Sequence, residues 1–312
     1  MAQLSADTGA KKAAAPDGKA QLHGLLAGLG AFTCWGVFPL YFRELGAFSA
    51  LEIIAHRIVW SLLLVLLIIL VTGRFAKVRA AFSNRSVLAI FSASTVLIAI
   101  NWLTFVWAIT NGYVLETSLG YYINPLVNVL LGVLFLGERL NRWQGLAVAL
   151  ALVAVLQMTI QAGSFPWISL MLGFSFGFYG LLRKKAPAES VVGLTVETAL
   201  LAPISALYLV YLFAAGDLQN GTIAAGGFYE AGDLLLLMGT GLITAIPLIL
   251  FAVGAQRLRL STVGLLQYIA PTMQFFLAIY VFDQPFDPAT LIAFGLIWTG
   301  LVIYSWDGLR RR

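Results

Sequence analysis

Ten long apolar windows with few charges run through this 312-residue chain, and they set the tightest limit on its fold. A helix needs about 20 consecutive, mostly apolar residues to cross the hydrocarbon core of a bilayer. The windows are continuous rather than alternating, so they favour helices over the strands of a membrane barrel. We predict an all-α integral membrane protein whose ten transmembrane helices span residues 22–43, 50–72, 86–110, 112–136, 143–160, 166–182, 191–213, 232–256, 261–282 and 287–306.

The composition supports a membrane location. Hydrophobic residues make up 60% of the chain and charged residues only 11%, with a mean hydropathy of +0.91. A soluble domain carries about a quarter charged residues, so this chain cannot cover its surface with solvated side chains. We therefore expect the lipid bilayer as a partner and no nucleic acid. Outside the windows, residues 1–21 are predicted to form a disordered cytoplasmic N-terminal tail, and residues 307–312 a basic cytoplasmic C-terminal tail.

The distribution of basic residues predicts the orientation. If the N-terminus is inside, 17 of the Lys and Arg residues fall in inside segments, whereas the outside connections hold only Arg43. Cytoplasmic segments of membrane proteins carry an excess of Lys and Arg. Both termini are therefore predicted to be cytoplasmic.

A short motif recurs in the two halves of the chain. Tyr-Ile-x-Pro occurs at residues 122–125 in the fourth window and at residues 268–271 in the ninth, 146 residues apart. Five helices per half would insert the second half upside down relative to the first, a plan that recurs in secondary transporters. We predict two inverted five-helix repeats, residues 22–160 and 161–306.

The repeated prolines lie near the centres of their windows, with polar and aromatic neighbours. A proline inside a helix removes a backbone hydrogen bond, and freed backbone is tolerated in a membrane only where it is buried or lines a cavity. A simple packing kink is the alternative. On the first interpretation, the candidate residues of a midplane substrate cavity are Trp35, Asn101, Trp102, Tyr121, Tyr122, Asn124, Pro125, Gln267, Tyr268 and Pro271.

Five ionisable residues within the windows should avoid lipid, because a charge at the centre of a membrane helix is costly. These candidates for proton coupling or for a buried ion pair are Glu52, His56, Arg57, Glu116 and Glu197. From their depths, we predict that Arg57 pairs with Glu116. The pair is either structural or part of a proton or substrate site. Glu197 is expected to be protonated or hydrogen-bonded within the bundle.

Several chemistries have no sequence signature here. The chain has no P-loop, no H-E-x-x-H and no G-x-S-x-G motif, and its two histidines cannot form a multi-histidine metal site. The single Cys34 cannot form an internal disulfide. We therefore expect no catalytic residues, no cofactor and no metal, and the chain is not predicted to be an enzyme.

Several blocks of sequence closely resemble the RarD proteins of the EamA group, in the drug/metabolite transporter superfamily. They are Glu52-x-x-x-His56-Arg57-Ile58-Val59-Trp60-Ser61, Asn101-Trp102-Leu103-Thr104, Ser118-Leu119-Gly120-Tyr121-Tyr122-Ile123-Asn124-Pro125-Leu126, Gly137-Glu138-Arg139-Leu140 and Tyr268-Ile269-Ala270-Pro271-Thr272. The resemblance covers about residues 22–306. It implies a ten-helix permease of the bacterial inner membrane, in a family named for chloramphenicol sensitivity or resistance, with relatives that export amino acids and other metabolites. It implies neither a substrate nor a known set of binding residues.

These observations together predict a secondary transporter, an exporter of a small organic metabolite or drug that works by alternating access. Coupling to protons is a hypothesis that rests on the intramembrane carboxylates and His56. A passive channel for small solutes and a non-transporting membrane scaffold or receptor are the alternatives. A homodimer is left open.

Overall fold

The computed structural model describes residues 18–46, 48–111, 113–163, 165–215, 223–224, 228–281 and 288–310. Over these residues the chain is almost entirely helical, with one short antiparallel pair of strands. The helices are α1 (Gly18–Glu44), α2 (Ala50–Val71), α3 (Phe75–Ser83), α4 (Arg85–Thr110), α5 (Val114–Leu136), α6 (Arg142–Ala162), α7 (Trp167–Lys185), α8 (Ser190–Ala215), α9 (Ala231–Arg257), α10 (Leu260–Leu266), α11 (Ile269–Tyr280) and α12 (Pro288–Arg310). The strands β1 (Ile223–Ala224) and β2 (Phe228–Tyr229) lie between α8 and α9.

Each predicted window lies on helical structure, but the boundaries differ at both ends of the chain. Helix α1 begins at Gly18, so the prediction of a disordered tail is wrong for residues 18–21, while residues 1–17 lie outside the described residues. Helix α12 continues to Arg310, so most of the predicted C-terminal tail is helical. The extra turn is anchored because Asp307 accepts a hydrogen bond from Asn141 Nδ2 at 2.6 Å and Arg310 lies over the Trp306 ring.

Within the described residues, seven helices are long and apolar enough to cross a membrane, as expected of a multi-pass membrane protein. Helix α7 is not one of them. It carries Arg183, Lys184 and Lys185 in its last turn, and many of its residues are buried. Its buried residues include small and polar ones, among them Ser169, Gly173 and Ser175, which lower the mean hydropathy of the helix.

Most of the largest helix contacts are preserved when the two halves are exchanged, whereas the contacts of α7 with α9, of α5 with α6 and of α3 have no counterpart of similar size within the described residues. Helices α1, α2, α4, α5 and α6 of the first half correspond in order to α7, α8, α9, α10 with α11, and α12 of the second. On this exchange, the contact between α5 and α7 becomes the contact between α11 and α1. The contact between α1 and α9 likewise becomes the contact between α7 and α4. Three contacts map onto themselves: α2 with α8, α6 with α12, and α5 with α10.

The two Tyr-Ile-x-Pro motifs meet where the halves cross. The Tyr268 hydroxyl donates to the Tyr122 carbonyl at 3.2 Å. The motifs differ in backbone, because α5 is continuous through Pro125, whereas the ninth window breaks between α10 and α11 at residues 267–268. A proline ring clashes with the carbonyl four residues earlier, which for Pro271 is that of Gln267.

Helices α1 and α7 each contain a G-x-x-x-G spacing, formed by Gly24 and Gly28 and by Gly173 and Gly177, at sites of close helix packing. A Cβ added at Gly28 would lie 2.9 Å from Leu266, and one added at Gly177 would lie 2.6 Å from Val127. Small residues therefore let α1 and α7 approach their partners in the opposite half.

Candidate functional site

A cavity of about 510 Å³ lies between the two halves. Its walls come from α1, α2, α4 and α5 of the first half and from α7, α9, α11 and the break before α11 of the second. It extends from the centre of α5 to the α1–α2 connection, where Leu45 and Phe48 line it. Its volume lies within the usual range of small-molecule sites. The predicted candidates that line it are Trp35, Asn101, Trp102, Tyr121, Asn124, Gln267, Pro271 and, from the ionisable group, Arg57.

The structure places the other three candidates of the cavity set in packed protein. Tyr122 and Tyr268 belong to a buried hydrophobic cluster with Phe294. The Pro125 carbonyl faces α10, since a Cβ at Gly264 would lie only 2.6 Å from this oxygen. These three residues pack at the contact between the two halves, behind the side chains that form the cavity wall.

Aromatic rings form much of the cavity wall. Phe32, Trp35 and Phe176 lie with their ring centroids 5.1–6.1 Å from that of Phe251 or from one another. Phe32 and Phe176 belong to corresponding F-x-x-[WY]-G segments of the two halves. The two segments therefore come together at one face of the cavity.

Arg57 is held in place by neighbours on three other helices. Its Nε donates to Thr244 Oγ1 at 2.9 Å. Its guanidinium carbon lies 5.6 Å from the centroid of the Phe42 ring and 5.1 Å from that of Trp102. The side chain of the predicted partner, Glu116, lies outside the described residues, so the pair remains a prediction. Sequence reasoning missed Thr244 and Phe42, because neither lies in a motif.

The amide side chains that line the cavity differ in their hydrogen bonding. Asn101 Nδ2 donates to the Leu172 carbonyl and to Ser175 Oγ, both at 3.0 Å, and Gln274 Nε2 donates to the Trp35 carbonyl at 3.0 Å. Asn124 differs, because its Oδ1 is buried and accepts no hydrogen bond. It is the one cavity amide among the described residues with an orphaned oxygen.

Glu52 and His56 lie outside the cavity wall, in a hydrogen-bonded chain at the start of α2. The Trp60 indole donates to His56 Nδ1 at 3.1 Å, His56 Nε2 lies 3.1 Å from the Tyr229 hydroxyl, and that hydroxyl donates to Glu52 Oε1 at 2.6 Å. The indole has only a donor, so Nδ1 must be an acceptor and the imidazole is neutral with its proton on Nε2.

The hydrogen-bonded chain from Trp60 ends at Glu52, a buried carboxylate with only one hydrogen-bonded oxygen. Glu52 is 0% exposed, and its Oε2 has no hydrogen-bond partner. Burial raises the pKa of Tyr229, in the connection before α9, and the hydrogen bond to Glu52 raises it further. The phenol therefore stays protonated and continues to donate. Sequence reasoning missed Tyr229, which lies in a connection with no motif.

Glu197 lies away from the cavity and has a charged partner. It accepts hydrogen bonds from Ser94 and, at 3.3 Å, from Tyr179, and it forms an ion pair of 3.4 Å with Arg183. Both side chains are almost completely buried. Counting Arg183 as a residue of a basic connection concealed this pair, because α7 carries it into the bundle.

The relatives of this chain align with most of its length, and a family model matches its first half. Residues 22–160 match the EamA-like transporter family. An uncharacterized transporter of Pseudomonas aeruginosa is 45% identical over 92% of this chain and 94% of its own length. Protein RarD of Escherichia coli is 40% identical over 94% and 97%, and the chloramphenicol-sensitive protein RarD of Pseudomonas aeruginosa is 32% identical over 92% and 95%.

One solved crystal structure shares the fold at low sequence similarity. It superposes with a TM-score of 0.68 at 19% identity and covers 94% of this chain and 99% of its own. The helical arrangement is thus found in a known structure, and the sequence relatives define the family more narrowly. The chain belongs to the RarD family of EamA-type transporters.

Proposed function

We propose that the chain is a secondary transporter that moves a small organic metabolite or drug across the bacterial inner membrane by alternating access. The observation that carries this proposal is the cavity of about 510 Å³ between the halves, which both halves line. A site shared by two interchangeable bundles can be opened to either side by rocking one bundle against the other.

The proposed architecture is ten transmembrane helices in two inverted five-helix repeats. The contacts that are preserved on exchange of the halves support it, as does the meeting of Tyr122 and Tyr268 at the crossing. The bias of basic residues supports a cytoplasmic location for both termini. A reporter fused after Arg312 should be active only in its cytoplasmic form, and a periplasmic signal would contradict the proposed topology.

Flux measurements in proteoliposomes test the transport function. Purified protein should give saturable uptake of a solute and counterflow, in which unlabelled internal solute drives uptake of the labelled form. A passive channel would give flux without counterflow, and a scaffold or receptor would give no flux. Empty liposomes and protein with Trp102→Ala, which removes a wall of the cavity, are the controls.

We propose Glu52 as the proton carrier if transport is proton-coupled. It is buried without a cation among the described residues, and one of its oxygens has no partner. His56 is a weaker candidate, because a second ring proton would collide with the Trp60 donor. Glu52→Gln should abolish stimulation of flux by an imposed pH gradient while counterflow persists, and Glu44→Gln, which changes an exposed carboxylate at the end of α1, should not. Equal stimulation in both variants would contradict the assignment.

A further inference from the structure

The central cavity contains one charged side chain among its lining residues, that of Arg57. Placing a guanidinium in an apolar membrane protein is costly unless it is paired and hydrogen-bonded. In this structure only its Nε is hydrogen-bonded, to Thr244, and the terminal nitrogens donate to no described residue. Its charge is otherwise met by the faces of two aromatic rings, those of Phe42 and Trp102.

From this geometry we infer the substrate class: an organic monoanion whose carboxylate pairs with the terminal nitrogens of Arg57 and whose aromatic or other flat apolar body packs against the cavity wall. The inference rests on the proposed transport function. A guanidinium presents its N–H groups as a planar fork that matches the two oxygens of a carboxylate. Such a ligand supplies the counter-charge that the described residues of the wall do not.

The neighbours of Arg57 orient its fork rather than neutralise it. The hydrogen bond from Nε to Thr244 fixes one edge of the guanidinium, and the Phe42 and Trp102 rings fix its plane. No described residue accepts a hydrogen bond from the terminal nitrogens, and on this inference that edge binds the ligand rather than Glu116. An ammonium group in this position would lack the planar fork, so lysine is not an equivalent replacement.

The remainder of the wall defines the body of the ligand. The rings of Phe32, Trp35 and Phe176 favour a flat apolar group. Asn124 also lines the cavity, but its Oδ1 is buried and is not part of the proposed ligand contact.

Ligand binding to the full-length protein in detergent tests the inference. Three probes share a phenylethyl body and differ in the terminal group, which is anionic, neutral or cationic: 3-phenylpropanoate, its amide and 3-phenylpropylammonium. Quenching of tryptophan fluorescence reports binding, because Trp35 and Trp102 line the cavity. The carboxylate should bind with a Kd at least about tenfold lower than that of the amide, and the ammonium should not bind.

Variants of Arg57 provide the second part of the test. Arg57→Gln should raise the Kd of the carboxylate at least about tenfold, to that of the amide, and Arg57→Lys should recover only part of the loss. Arg79→Gln, which removes an exposed arginine of α3, is the matched control and should bind as the original protein does. If Arg57→Gln does not fold, the preference of the unchanged protein for carboxylate over amide decides the matter.

Equal binding of the carboxylate and the amide, or no binding of the carboxylate, would overturn the inference, as would unaltered binding by a folded Arg57→Gln protein. Counterflow in proteoliposomes separates this inference from the transport function. Counterflow of the amide or the ammonium without the carboxylate would refute the substrate class and leave transport standing. Binding of the carboxylate with no counterflow of any probe would refute transport and leave the anion site standing.

Discussion

At the scale of single residues, buried charges are held by partners on other helices. Arg183 and Glu197 form a buried ion pair, and the space that the guanidinium occupies exists because residue 193 is glycine. A Cβ at Gly193 would lie 2.0 Å from an Arg183 nitrogen and 2.5 Å from the Phe91 ring. Removing one member of such a pair leaves an uncompensated charge, which is worse than removing both.

We therefore expect Glu197→Gln or Arg183→Met to lower the free energy of unfolding by about 3–5 kcal/mol each, because each leaves the other group buried without its partner. The double variant should lose much less than the sum. Thermal unfolding in detergent, followed by tryptophan fluorescence, measures the three losses. Glu44→Gln, which breaks the exposed pair with Arg43, is the control and should cost less than about 1 kcal/mol. Additive losses for the buried pair would contradict the coupling.

At the scale of helices, the crossing of α5 and α10 depends on the absence of a side chain at one position. A Cβ at Gly264 would lie 2.6 Å from the Pro125 carbonyl oxygen, a backbone atom that cannot move aside independently. The same crossing carries the hydrogen bond of 2.6 Å from Asn128 Nδ2 to Gln267 Oε1. Glu138, at the end of α5, accepts hydrogen bonds from the backbone amides of Leu260 and Ser261 and so caps α10.

Gly264→Ala should destabilise the protein by about 1–3 kcal/mol, since overpacking at a helix crossing forces the backbones apart. Gly145→Ala is the matched control, because a Cβ at that helical position meets no atom within 4 Å. It should be neutral or stabilise the protein by up to about 1 kcal/mol through helix propensity. Unfolding midpoints in detergent compare the two variants, and an equal effect of both would refute the crossing argument.

A surface cluster joins α3 to the α7–α8 connection and should make stability depend weakly on pH. A hydrogen bond from Lys77 lowers the pKa of Glu189 below its usual value of 4.5, and the charges of Lys77 and Arg74 lower it further. The stabilisation is therefore present above the ordinary carboxyl range and is lost as the pH falls through the lowered value in the folded protein.

Because this cluster is exposed, its contribution should be below about 1 kcal/mol and should disappear at high salt. Unfolding midpoints of the original protein and of Glu189→Gln, measured between pH 3 and pH 7 at two salt concentrations, check this. Glu230→Gln, an exposed carboxyl elsewhere, is the control. A pH dependence that is the same in Glu189→Gln as in the original would contradict the assignment.

At the scale of the whole molecule, the cavity lies towards one end of the bundle. Its lining includes Leu45, Gly46 and Phe48 at the α1–α2 connection. The other end is held by Lys184, which donates to the carbonyls of Ala255 and Leu258, and by the cap on α10. If both termini are cytoplasmic as proposed, the α1–α2 end is periplasmic, and we expect this conformation to be outward-facing in the proposed cycle.

Accessibility of single cysteines tests this orientation in a Cys34→Ser background. An impermeant thiol reagent added from the periplasmic side should label Ile54→Cys, which lines the cavity, and a cavity ligand should slow that labelling severalfold. Leu258→Cys lies at the opposite end, is almost fully buried, and should not be labelled. Labelling of Leu258→Cys alone would reverse the assigned orientation.

Local patterns in the chain were sufficient to predict the long helices and several residues of the cavity. The windows could be read directly, because every residue that faces lipid must be apolar and every backbone amide in lipid must be satisfied within its helix. Most helix ends agree with the predicted windows, and Trp35, Asn101, Trp102, Tyr121, Asn124, Gln267 and Pro271 line the cavity. Helix α3 was not predicted, because a short amphipathic helix in a basic connection has no long apolar run.

The partners of the buried polar side chains, and the side chains that face the cavity, were determined only by the tertiary structure. Nothing local distinguishes Tyr121, which lines the cavity, from its neighbour Tyr122, which is packed behind it. Three buried polar side chains have their partners on another helix or connection: Arg57 bonds Thr244, Glu52 bonds Tyr229, and Glu197 pairs with Arg183. The bilayer requires apolar side chains and internally hydrogen-bonded backbone at each residue separately, so its effect can be read from the sequence. A buried polar group is instead satisfied by whichever side chain the packing of helices brings within hydrogen-bonding distance.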